Sequence, residues 1–289
     1  MKVLSPAKVN LFLQVAGRRA DGYHDLVTLM CCISLYDVIL MDFSAANISV
    51  QCGHPQVPNG ETNLAYKAAA LFFEMMKRNS DGKETAAAPE GVSILIEKNI
   101  PVAAGLGGGS SNAAAVLAGM NQHYGHPFTS KQLSAMGLRL GADVPYLLYH
   151  KPAIARGIGE KLTPYNGLES MPVLLVCPDF HVSTAAVYKN LNLRLTKCEK
   201  KIKNCCFEMS AFKARQHLCN DLETVTIPDH PEIQEIKEAL IDLGAEGALM
   251  SGSGPAVFGL FADHKKMRFA CDQFGQKSGL RLYAAELLV

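Results

Sequence analysis

Residues 101–111 read Pro101-Val102-Ala103-Ala104-Gly105-Leu106-Gly107-Gly108-Gly109-Ser110-Ser111, between a predicted strand at 92–97 and a predicted helix at 110–123. Four glycines in five positions have no Cβ atoms that would keep an oxyanion away from backbone N–H groups, and they allow positive φ angles. The following helix directs its free N–H groups and the positive end of its dipole to the same place, where Ser110 and Ser111 add hydroxyl donors. The stretch therefore predicts a phosphate-binding loop.

Two other glycine-rich phosphate loops do not fit these letters. A Walker A loop requires Gly-Lys-Ser or Gly-Lys-Thr, and no Lys lies between Lys98 and Lys131. The dinucleotide fingerprint fails because Ser110 stands where a Gly or Ala is required. A merely flexible glycine turn remains as the structural alternative, although flexibility does not call for two serines at the start of the next helix.

Composition narrows the class of protein. The chain has 289 residues, about twice the usual length of one domain. Hydrophobic residues make up 48% and charged residues 19%, which excludes a disordered chain. With 28 Lys and Arg against 27 Asp and Glu, the net charge of +1 gives no overall field that attracts nucleic acid or anionic lipid. We therefore expect anions to be bound locally, and no nucleic-acid partner.

The sequence also indicates where the protein acts. Lys2 and Lys8 interrupt the start of the chain before the apolar region of a signal peptide would form. Residues 99–130 carry no Asp, Glu, Lys or Arg, but the Gly, Ser and Asn within them do not suit a membrane span. Nine cysteines without a Cys-x-x-Cys pattern are typical of reduced thiols. We expect a cytoplasmic protein with no membrane partner.

Periodicity predicts mixed α and β structure. Strands are predicted at 7–15, 37–43, 47–52, 92–97, 146–149, 173–177 and 256–261. Helices are predicted at 62–78, 110–123, 134–140 and 184–190, and another comes after a capping box of Asp229 and Glu232 and ends at Gly244. Residues 79–91 are predicted to form a loop, and a last helix and strand end the chain. We expect two domains, 1–155 and 156–274, with 275–289 a candidate addition to the first.

Residues 101–111 match throughout the form Pro-x-x-x-Gly-Leu-Gly-x-x-Ser-Ser, and in this the sequence resembles the GHMP kinase family. The resemblance covers most of the chain and includes five further motifs: Pro6 to Leu11, Asp21 to His24, Gly141 to Pro145, Gly157-x-Gly159-Glu160, and Ser251 to Gly254. It implies an α+β, two-domain fold, with a ribosomal S5 domain 2-like N-terminal domain and a ferredoxin-like C-terminal domain.

The resemblance also implies a reaction. ATP would donate a phosphoryl group to a small alcohol in the cleft between the domains, and Mg²⁺ would arrive with ATP. The combination of motifs is most similar to the branch of the family whose acceptor is cytidine diphosphate methylerythritol, phosphorylated on its 2-hydroxyl. Other small-alcohol kinases of the homoserine or mevalonate type, and a non-catalytic ligand-binding or RNA-binding module on the same fold, are the alternatives.

Lys8 and Asp143 match the catalytic pair of the family. Phosphoryl transfer needs a group that takes the proton of the acceptor hydroxyl and a cation that holds charge on the phosphoryl oxygens or orients that base. A carboxylate and an ammonium supply both. Taken singly, Asp143 is also consistent with a residue that caps a turn before Pro145, and Lys8 with a solvated strand lysine.

The resemblance implies further contacts with the two substrates. Asn10 lies on the same strand face as Lys8 and would bind the acceptor, while Tyr23, His24 and Tyr188 would hold its cytosine, with the two tyrosines on either side of the ring. The predicted nucleotide-binding residues are Asn63, Leu64, Lys98, Pro101, Gly105, Leu106, Gly107, Gly108, Gly109, Ser110 and Ser111. Apart from the Ser111 hydroxyl as a candidate, protein ligands of the metal are not assigned, and a monomer or weak homodimer is expected. The turn Gly252-Ser253-Gly254 is interpreted as structural rather than as a diphosphate site.

Overall fold

A computed structural model of the chain describes residues 1–79, 91–193, 196, 198 and 211–289. These residues form two compact units that alternate along the chain. Unit 1 contains Met1–Ala7, Tyr36–Val102 and Gly107–Tyr149, and unit 2 contains Lys8–Leu35, Ala103–Leu106 and His150–Val289. These compact units differ from the predicted domains 1–155 and 156–274. The division at residue 155 stays a prediction. Most of the predicted loop at 79–91 lies outside the described residues.

Two long strands contribute to both units. Strand β1 (Lys2–Arg18) is longer than the predicted strand at 7–15, and β2 (His24–Asp42) extends the predicted strand at 37–43 by thirteen residues toward the N-terminus. Residues 5–13 of β1 are buried on both faces, including the face that carries the polar side chains. The alternation of polar and apolar residues therefore located the strand but did not report its exposure.

Unit 1 packs helices against a small sheet. Strand β3 (Ile48–Cys52) runs parallel to β4 (Val92–Glu97), and β4 runs antiparallel to the end of β2, with Val38 opposite Glu97. A 3₁₀ turn (Gly60–Thr62) precedes the helices of the unit: α1 (Leu64–Asn79), α2 (Gly108–His123), α3 (Ser130–Leu140) and α4 (Val144–Tyr149). Their core includes Ile39, Ile94, Phe72, Leu117 and Tyr146, and burial of such a side chain contributes about 1.5–3 kcal/mol.

The strands of unit 2 are β5 (Ala153–Gly157), β6 (Lys161–Pro164), β7 (Pro172–Pro178), β8 (Cys219–Asn220), β9 (Gly247–Met250), β10 (Val257–Leu260) and β11 (Leu280–Leu288). Strand β7 is buried along its whole length between β10 and β11, both antiparallel to it. Strand β9 pairs with β10, and β5 pairs with β2 and β6. Strand β8 lies parallel to β1, with Cys219 opposite Phe12.

The helices of unit 2 are α5 (Thr184–Asn190), α6 (Ala214–His217), α7 (Glu223–Asp229), α8 (Glu232–Asp242) and α9 (His264–Phe274). Ile233 and Leu240 of α8 and Phe274 of α9 join Leu174 and Val176 of β7 in one apolar core. Within the described residues, no helix combines the length and the hydropathy of a membrane span.

The strand predicted at 146–149 is wrong, because these residues belong to helix α4. Pro145 is the second residue of that helix, where a backbone N–H has no intrahelical partner. Proline therefore stands at the beginning of a helix here rather than beyond the end of one. A short apolar run such as Tyr146-Leu147-Leu148-Tyr149 does not distinguish a buried helix from a buried strand.

The capping box predicted at Asp229 and Glu232 is also wrong. Asp229 is the last residue of α7, and the N-cap of α8 is Pro231, which has no side-chain hydrogen-bond acceptor. The predicted end of the helix is confirmed, since Gly244 comes just after α8 with a φ of 95° and donates its N–H to the Ile241 carbonyl.

The expectation that all cysteines are reduced is contradicted by a disulfide between Cys198 and Cys219, whose Cα atoms lie 5.8 Å apart. Their sulfurs and an oxygen of Asp221 lie within 4.8 Å of one another, which makes this the cluster with metal-ligand chemistry among the described residues. Both sulfurs are used by the S–S bond. Cys177 is a buried free thiol, and burial raises its pKa to about 12.

Candidate active site

The glycine-rich loop ends on an open helix terminus. Gly105 and Gly107 have φ values of 76° and 70°, which a residue with a Cβ rarely adopts. Gly107 is the N-cap of α2 and has no side chain that would satisfy the first backbone N–H groups of the helix. Gly109 in the first turn is exposed. The first turn of this 16-residue helix therefore has no side-chain cap and an exposed glycine at its positive end, as an anion site requires.

Several predicted nucleotide-binding residues line this helix start. A Cβ on Gly109 would lie 3.7 Å from Leu64 Cδ1, and a Cβ on Gly108 would lie 3.1 Å from Lys98 Nζ. Pro101 and Leu106 are buried, and the Leu106 carbonyl accepts the Lys8 backbone N–H at 3.0 Å. The structure thus brings Leu64 and Lys98 to the first turn of α2.

Asn63 takes part in capping helix α1. Its Oδ1 accepts the Ala65 N–H at 2.9 Å, and its Nδ2 donates to the Pro58 carbonyl at 2.7 Å. Its own carbonyl accepts the Lys67 N–H. The residue is 6% exposed, so its side chain fixes the beginning of α1 and the position of Leu64 next to it.

Lys98 makes a buried ion pair with Asp37 of β2. Lys98 Nζ lies 2.8 Å from Asp37 Oδ2 and also donates to the Ile100 carbonyl. Asp37 Oδ1 accepts the N–H groups of Asn99 and Ile100, at 2.7 and 2.8 Å. Burial lowers the pKa of the Lys98 ammonium, while the neighbouring carboxylate acts in the opposite direction.

The two serines at the end of the glycine-rich stretch differ in their surroundings. The Ser111 hydroxyl is buried, donates to the Pro6 carbonyl at 2.7 Å and accepts from Ser5 Oγ at 2.8 Å, and Ser5 also reaches Asn112 Oδ1. Ser110 is half-buried, with its Oγ 3.7 Å from the position of a Cβ on Gly141. Ser111 thus fastens the start of β1 to α2, and Ser110 faces the turn that carries Asp143.

Asp143 lies in that turn, immediately before helix α4. Its side chain is half-buried, and its carbonyl accepts the Leu147 N–H at 3.0 Å. Gly141, two residues earlier, accepts the Val144 N–H through its carbonyl and approaches Ser110. The carboxylate therefore stands on a short backbone turn beside the first turn of α2, within unit 1.

Lys8 is held by a chain of buried polar groups in unit 2. Its Nζ donates to Asn10 Oδ1 at 2.6 Å, Asn10 Nδ2 donates to Thr28 Oγ1 at 2.9 Å, and Thr28 Oγ1 donates to the Phe12 carbonyl at 2.6 Å. Lys8 is only 5% exposed. The solvated-lysine interpretation is therefore wrong, and Asn10 orients the ammonium.

The structure brings together two of the three residues predicted to hold the cytosine, His24 and Tyr188. The His24 and Tyr188 rings stack, with centroids 5.3 Å apart and planes 30° apart. Burial and the positive charge of Arg18 lower the pKa of His24, which favours the neutral imidazole. Tyr23 is 59% exposed, and its N–H is bound by Asp21 in a turn that Arg19 also stabilises.

The turn at Ser251 to Gly254 contacts the glycine-rich loop. Ser251 Oγ donates to the Gly105 carbonyl at 3.0 Å. Asn220 Nδ2 donates to the carbonyls of Met250 and Gly252, at 2.9 and 2.7 Å. The turn is buried and held by side-chain hydrogen bonds, in agreement with its structural interpretation.

Sequence reasoning missed Asp37, Thr28 and Asn220. Asp37 did leave a signal, since it is a single charge in the apolar strand segment 33–40. Thr28 and Asn220 left none, because their partners lie 16 and 32 residues away in the chain.

A glycine-lined helix start with a carboxylate on the turn beside it, and a buried lysine elsewhere on this mixed α/β fold, are features of a small-molecule kinase. The chain belongs to the GHMP kinase family: the family model for the N-terminal domain of GHMP kinases matches residues 63–151, and the model for the C-terminal domain matches residues 207–279. The fold also resembles a crystal structure of homoserine kinase from Cytophaga hutchinsonii, with a TM-score of 0.77, 18% identity and coverage of 100% and 94% of the two chains.

Within the family, the chain matches proteins named 4-diphosphocytidyl-2-C-methyl-D-erythritol kinase. The relative from Syntrophotalea carbinolica is 47% identical over 284 residues, which cover 98% of this chain and 97% of the relative. A crystal structure of 4-(cytidine 5'-diphospho)-2C-methyl-D-erythritol kinase matches with a TM-score of 0.80 and 36% identity, over 99% of both chains. The predicted α+β kinase fold and the predicted family are thereby confirmed.

Proposed function

We propose that this chain transfers the γ-phosphoryl group of ATP to the 2-hydroxyl of 4-diphosphocytidyl-2-C-methyl-D-erythritol. The observation that carries the proposal is the uncapped, glycine-lined start of α2, in a chain whose full-length relatives are named for this activity. GHMP kinases use ATP as the phosphate donor. Residues 107–110 would hold its phosphates through backbone N–H groups, and Leu64 would pack beside them.

Mg²⁺ would arrive with ATP, bound chiefly by phosphate oxygens. The Ser111 hydroxyl does not fit a metal ligand, because it donates to the Pro6 carbonyl and is buried. Ser110 is half-buried, with its Oγ close to Gly141, and is the hydroxyl of the pair that fits a role at the nucleotide.

Asp143 is the proposed general base. Its carboxylate accepts the proton of the 2-hydroxyl as that oxygen forms a bond to the γ-phosphorus, and the bond from that phosphorus to the β,γ-bridging oxygen breaks to release ADP. The turn before α4 supports this role, since its backbone hydrogen bonds hold the residue that carries the carboxylate.

Lys8 would stabilise the negative charge of the transferred phosphoryl oxygens or keep the base ionised. The hydrogen bond from Lys8 Nζ to Asn10 fixes the direction of the ammonium before substrates bind, which lowers the cost of reorganisation in the transition state. The role of Asn10 in this proposal is to orient Lys8 as well as to contact the acceptor.

His24, Tyr188 and Tyr23 would hold the cytosine. The His24 and Tyr188 rings already stack, and a neutral imidazole can donate one hydrogen bond and accept another at a base edge. The exposed Tyr23 ring has room to close over the base. We further infer a cytoplasmic enzyme that acts as a monomer or weak homodimer. Its net charge of +1 gives no overall attraction for nucleic acid, so we infer no nucleic-acid partner.

The proposed base is tested by Asp143→Asn, with Asp272→Asn on the exposed face of α9 as the matched control. We expect kcat, measured by coupled ADP release, to fall at least about a hundredfold, because the amide cannot accept the proton. Calorimetry with a non-hydrolysable ATP analogue should give dissociation constants for Asp143→Asn and Asp272→Asn that lie within about threefold of each other, since the nucleotide contacts remain in both variants. Unchanged turnover in Asp143→Asn would remove the general-base role.

The acceptor is tested by comparing ADP release with 4-diphosphocytidyl-2-C-methyl-D-erythritol, mevalonate and homoserine. We expect turnover only with the cytidine compound. In Tyr188→Ala we expect the apparent affinity for this compound to fall, because its cytosine ring loses a stacking partner. Equal rates with the three alcohols would favour another small-alcohol kinase. Nucleotide binding without turnover of any alcohol would favour a non-catalytic module.

A further inference from the structure

Asp37 is a buried carboxylate to which the proposed reaction gives no role. It is fully buried in β2, within unit 1. A buried charge is costly unless hydrogen bonds and an opposite charge compensate it, and Asp37 has both. Its Oδ1 binds two consecutive backbone N–H groups, those of Asn99 and Ile100, and its Oδ2 pairs with Lys98 at 2.8 Å. One carboxylate therefore fixes three consecutive residues just before Pro101, where the glycine-rich loop begins.

Lys98 lies between this carboxylate and the start of α2. A Cβ on Gly108, the first residue of the helix, would lie 3.1 Å from Lys98 Nζ and 3.2 Å from Ile100 Cγ2. Lys98, which pairs with Asp37, and Ile100, whose backbone N–H Asp37 accepts, thus both pack on the first turn of the helix. The ammonium also donates to the Ile100 carbonyl. Its charge is neutralised by a carboxylate at contact distance, so it adds little attraction for a phosphate.

We propose that Asp37 is a positioning residue for the nucleotide, which holds Lys98 and residues 99–100 so that the first turn of α2 stays in place for the phosphates. In this assignment Lys98 acts by neutralising Asp37 and packing on Gly108, in contrast to the predicted direct contact with the nucleotide. The inference rests on the proposed function in one respect, namely that ATP phosphates occupy the start of α2. The lowered pKa of Lys98 agrees with it, since the ammonium depends on its partner to stay charged.

The proposal is tested by a double-mutant cycle of Asp37→Asn, Lys98→Met and the double variant. Asparagine keeps an oxygen acceptor for the two backbone N–H groups, and methionine keeps the length of the lysine chain. Glu97→Gln removes an exposed carboxylate at the end of β4, next to Lys98 in the chain, and is the matched control. The measured quantity is the dissociation constant of a non-hydrolysable ATP analogue, determined by calorimetry, with KM for ATP and kcat as a second pair of values.

We expect Lys98→Met to weaken binding of the analogue at least about tenfold, because it leaves the Asp37 carboxylate buried and unpaired beside the phosphate site. The double variant should recover to within about threefold of the wild-type value, since the charge has been removed from both partners. KM for ATP should change in parallel with the dissociation constants while kcat changes little, which a general loss of stability would not produce. A double variant as weak as Lys98→Met would show that Lys98 binds the nucleotide directly and would overturn the proposal.

Two further measurements show whether weaker binding of the analogue is due to misfolding of a variant rather than to the loss of the Asp37–Lys98 pair. Circular dichroism melting and calorimetric binding of the cytidine-containing acceptor report whether each variant is folded, and Asp37→Asn alone provides a milder variant if Lys98→Met does not fold. Asp37→Asn should weaken analogue binding more than Glu97→Gln does, and equal values would count against the proposal. Because the analogue needs no acceptor, the cycle can support or overturn the role of Asp37 even if the wild-type protein phosphorylates a different alcohol.

Discussion

The chain contains two glycine-rich turns with serines, at 105–111 and at 251–254, and the element at the end of each turn is different. The first leads into helix α2 and has an exposed glycine in the first helical turn. The second leads into strand β10, and its residues are buried. A strand has no aligned dipole and no set of free N–H groups at its start. Glycine content alone therefore does not define an anion site; the adjoining helix and its exposure do.

The second turn nevertheless acts on the first. Ser251 donates to the Gly105 carbonyl, and Gly105 itself passes so close to the Ser251 backbone that no side chain fits between them. Asn220 in turn holds the carbonyl of Gly252. The buried turn thus supports the first part of the exposed loop within unit 2. This difference in role between the two turns can be tested by single substitutions.

Gly105→Ala should have the largest effect, because it affects both turns at once. The new Cβ would overlap the Ser251 carbonyl oxygen, at a residue whose φ is 76°. We expect the free energy of unfolding to fall by about 3 kcal/mol or more, from overpacking and backbone strain together. Urea unfolding monitored by circular dichroism measures it.

Gly125→Ala is the matched control for that substitution. Its φ is 74°, but nothing lies within 4 Å of the position of its Cβ. The control should therefore lose only the conformational part, about 1–2 kcal/mol. Equal losses in the two variants would mean that the approach of the two turns is not tight.

Asn220→Ala should have an intermediate effect. It removes a donor shared by two buried carbonyls, those of Met250 and Gly252, and an acceptor of the Leu222 N–H. Leaving such groups unsatisfied costs about 1–3 kcal/mol, whereas Ala at the exposed Asn47 should cost less than about 0.5 kcal/mol. If the turn is a support, affinity for the ATP analogue falls together with stability and acceptor KM changes less. A selective rise in acceptor KM would instead assign the turn to the acceptor diphosphate.

The part of the fold that sequence predicted well is the part specified locally. Strand β4 and helix α5 have the predicted bounds, because the patterns of a short strand and of a short helix are both read within a few neighbouring residues. Helix α4 was mispredicted because its six residues contain less than two full turns of pattern. The first part of β2 was missed because its pairing with β5 joins residues more than a hundred positions apart.

The candidate site also has one part that the local sequence predicts and another that depends on contacts between distant segments. The glycine-rich loop is contiguous, so its letters predict a helix start with free backbone N–H groups without any knowledge of tertiary structure. That the helix begins at Gly108, with no side-chain cap, is seen only in the structure. The direction of the Ser111 hydroxyl, the pairing of Asp37 with Lys98 and the disulfide of Cys198 with Cys219 all depend on contacts between distant segments. Physical chemistry of the residues limits which partners are acceptable, but only the fold selects one.

Gly109→Ala should have the smallest effect on stability and the sharpest effect on function. The residue lies in the first turn of α2, and its Cβ would meet only Leu64 Cδ1, at an ordinary 3.7 Å. Alanine is the better helix former, so the free energy of unfolding should rise by up to about 1 kcal/mol. The methyl group would nevertheless stand on an exposed face where, in the proposed function, phosphate oxygens reach the backbone, and we expect affinity for the ATP analogue to fall about tenfold. Gly53→Ala, in open space on the same unit, should leave that affinity unchanged. A variant that is more stable and binds ATP more weakly separates the anion-binding role of the exposed loop from any structural one, whereas unchanged affinity in Gly109→Ala would mean that the phosphates do not contact the backbone of this turn.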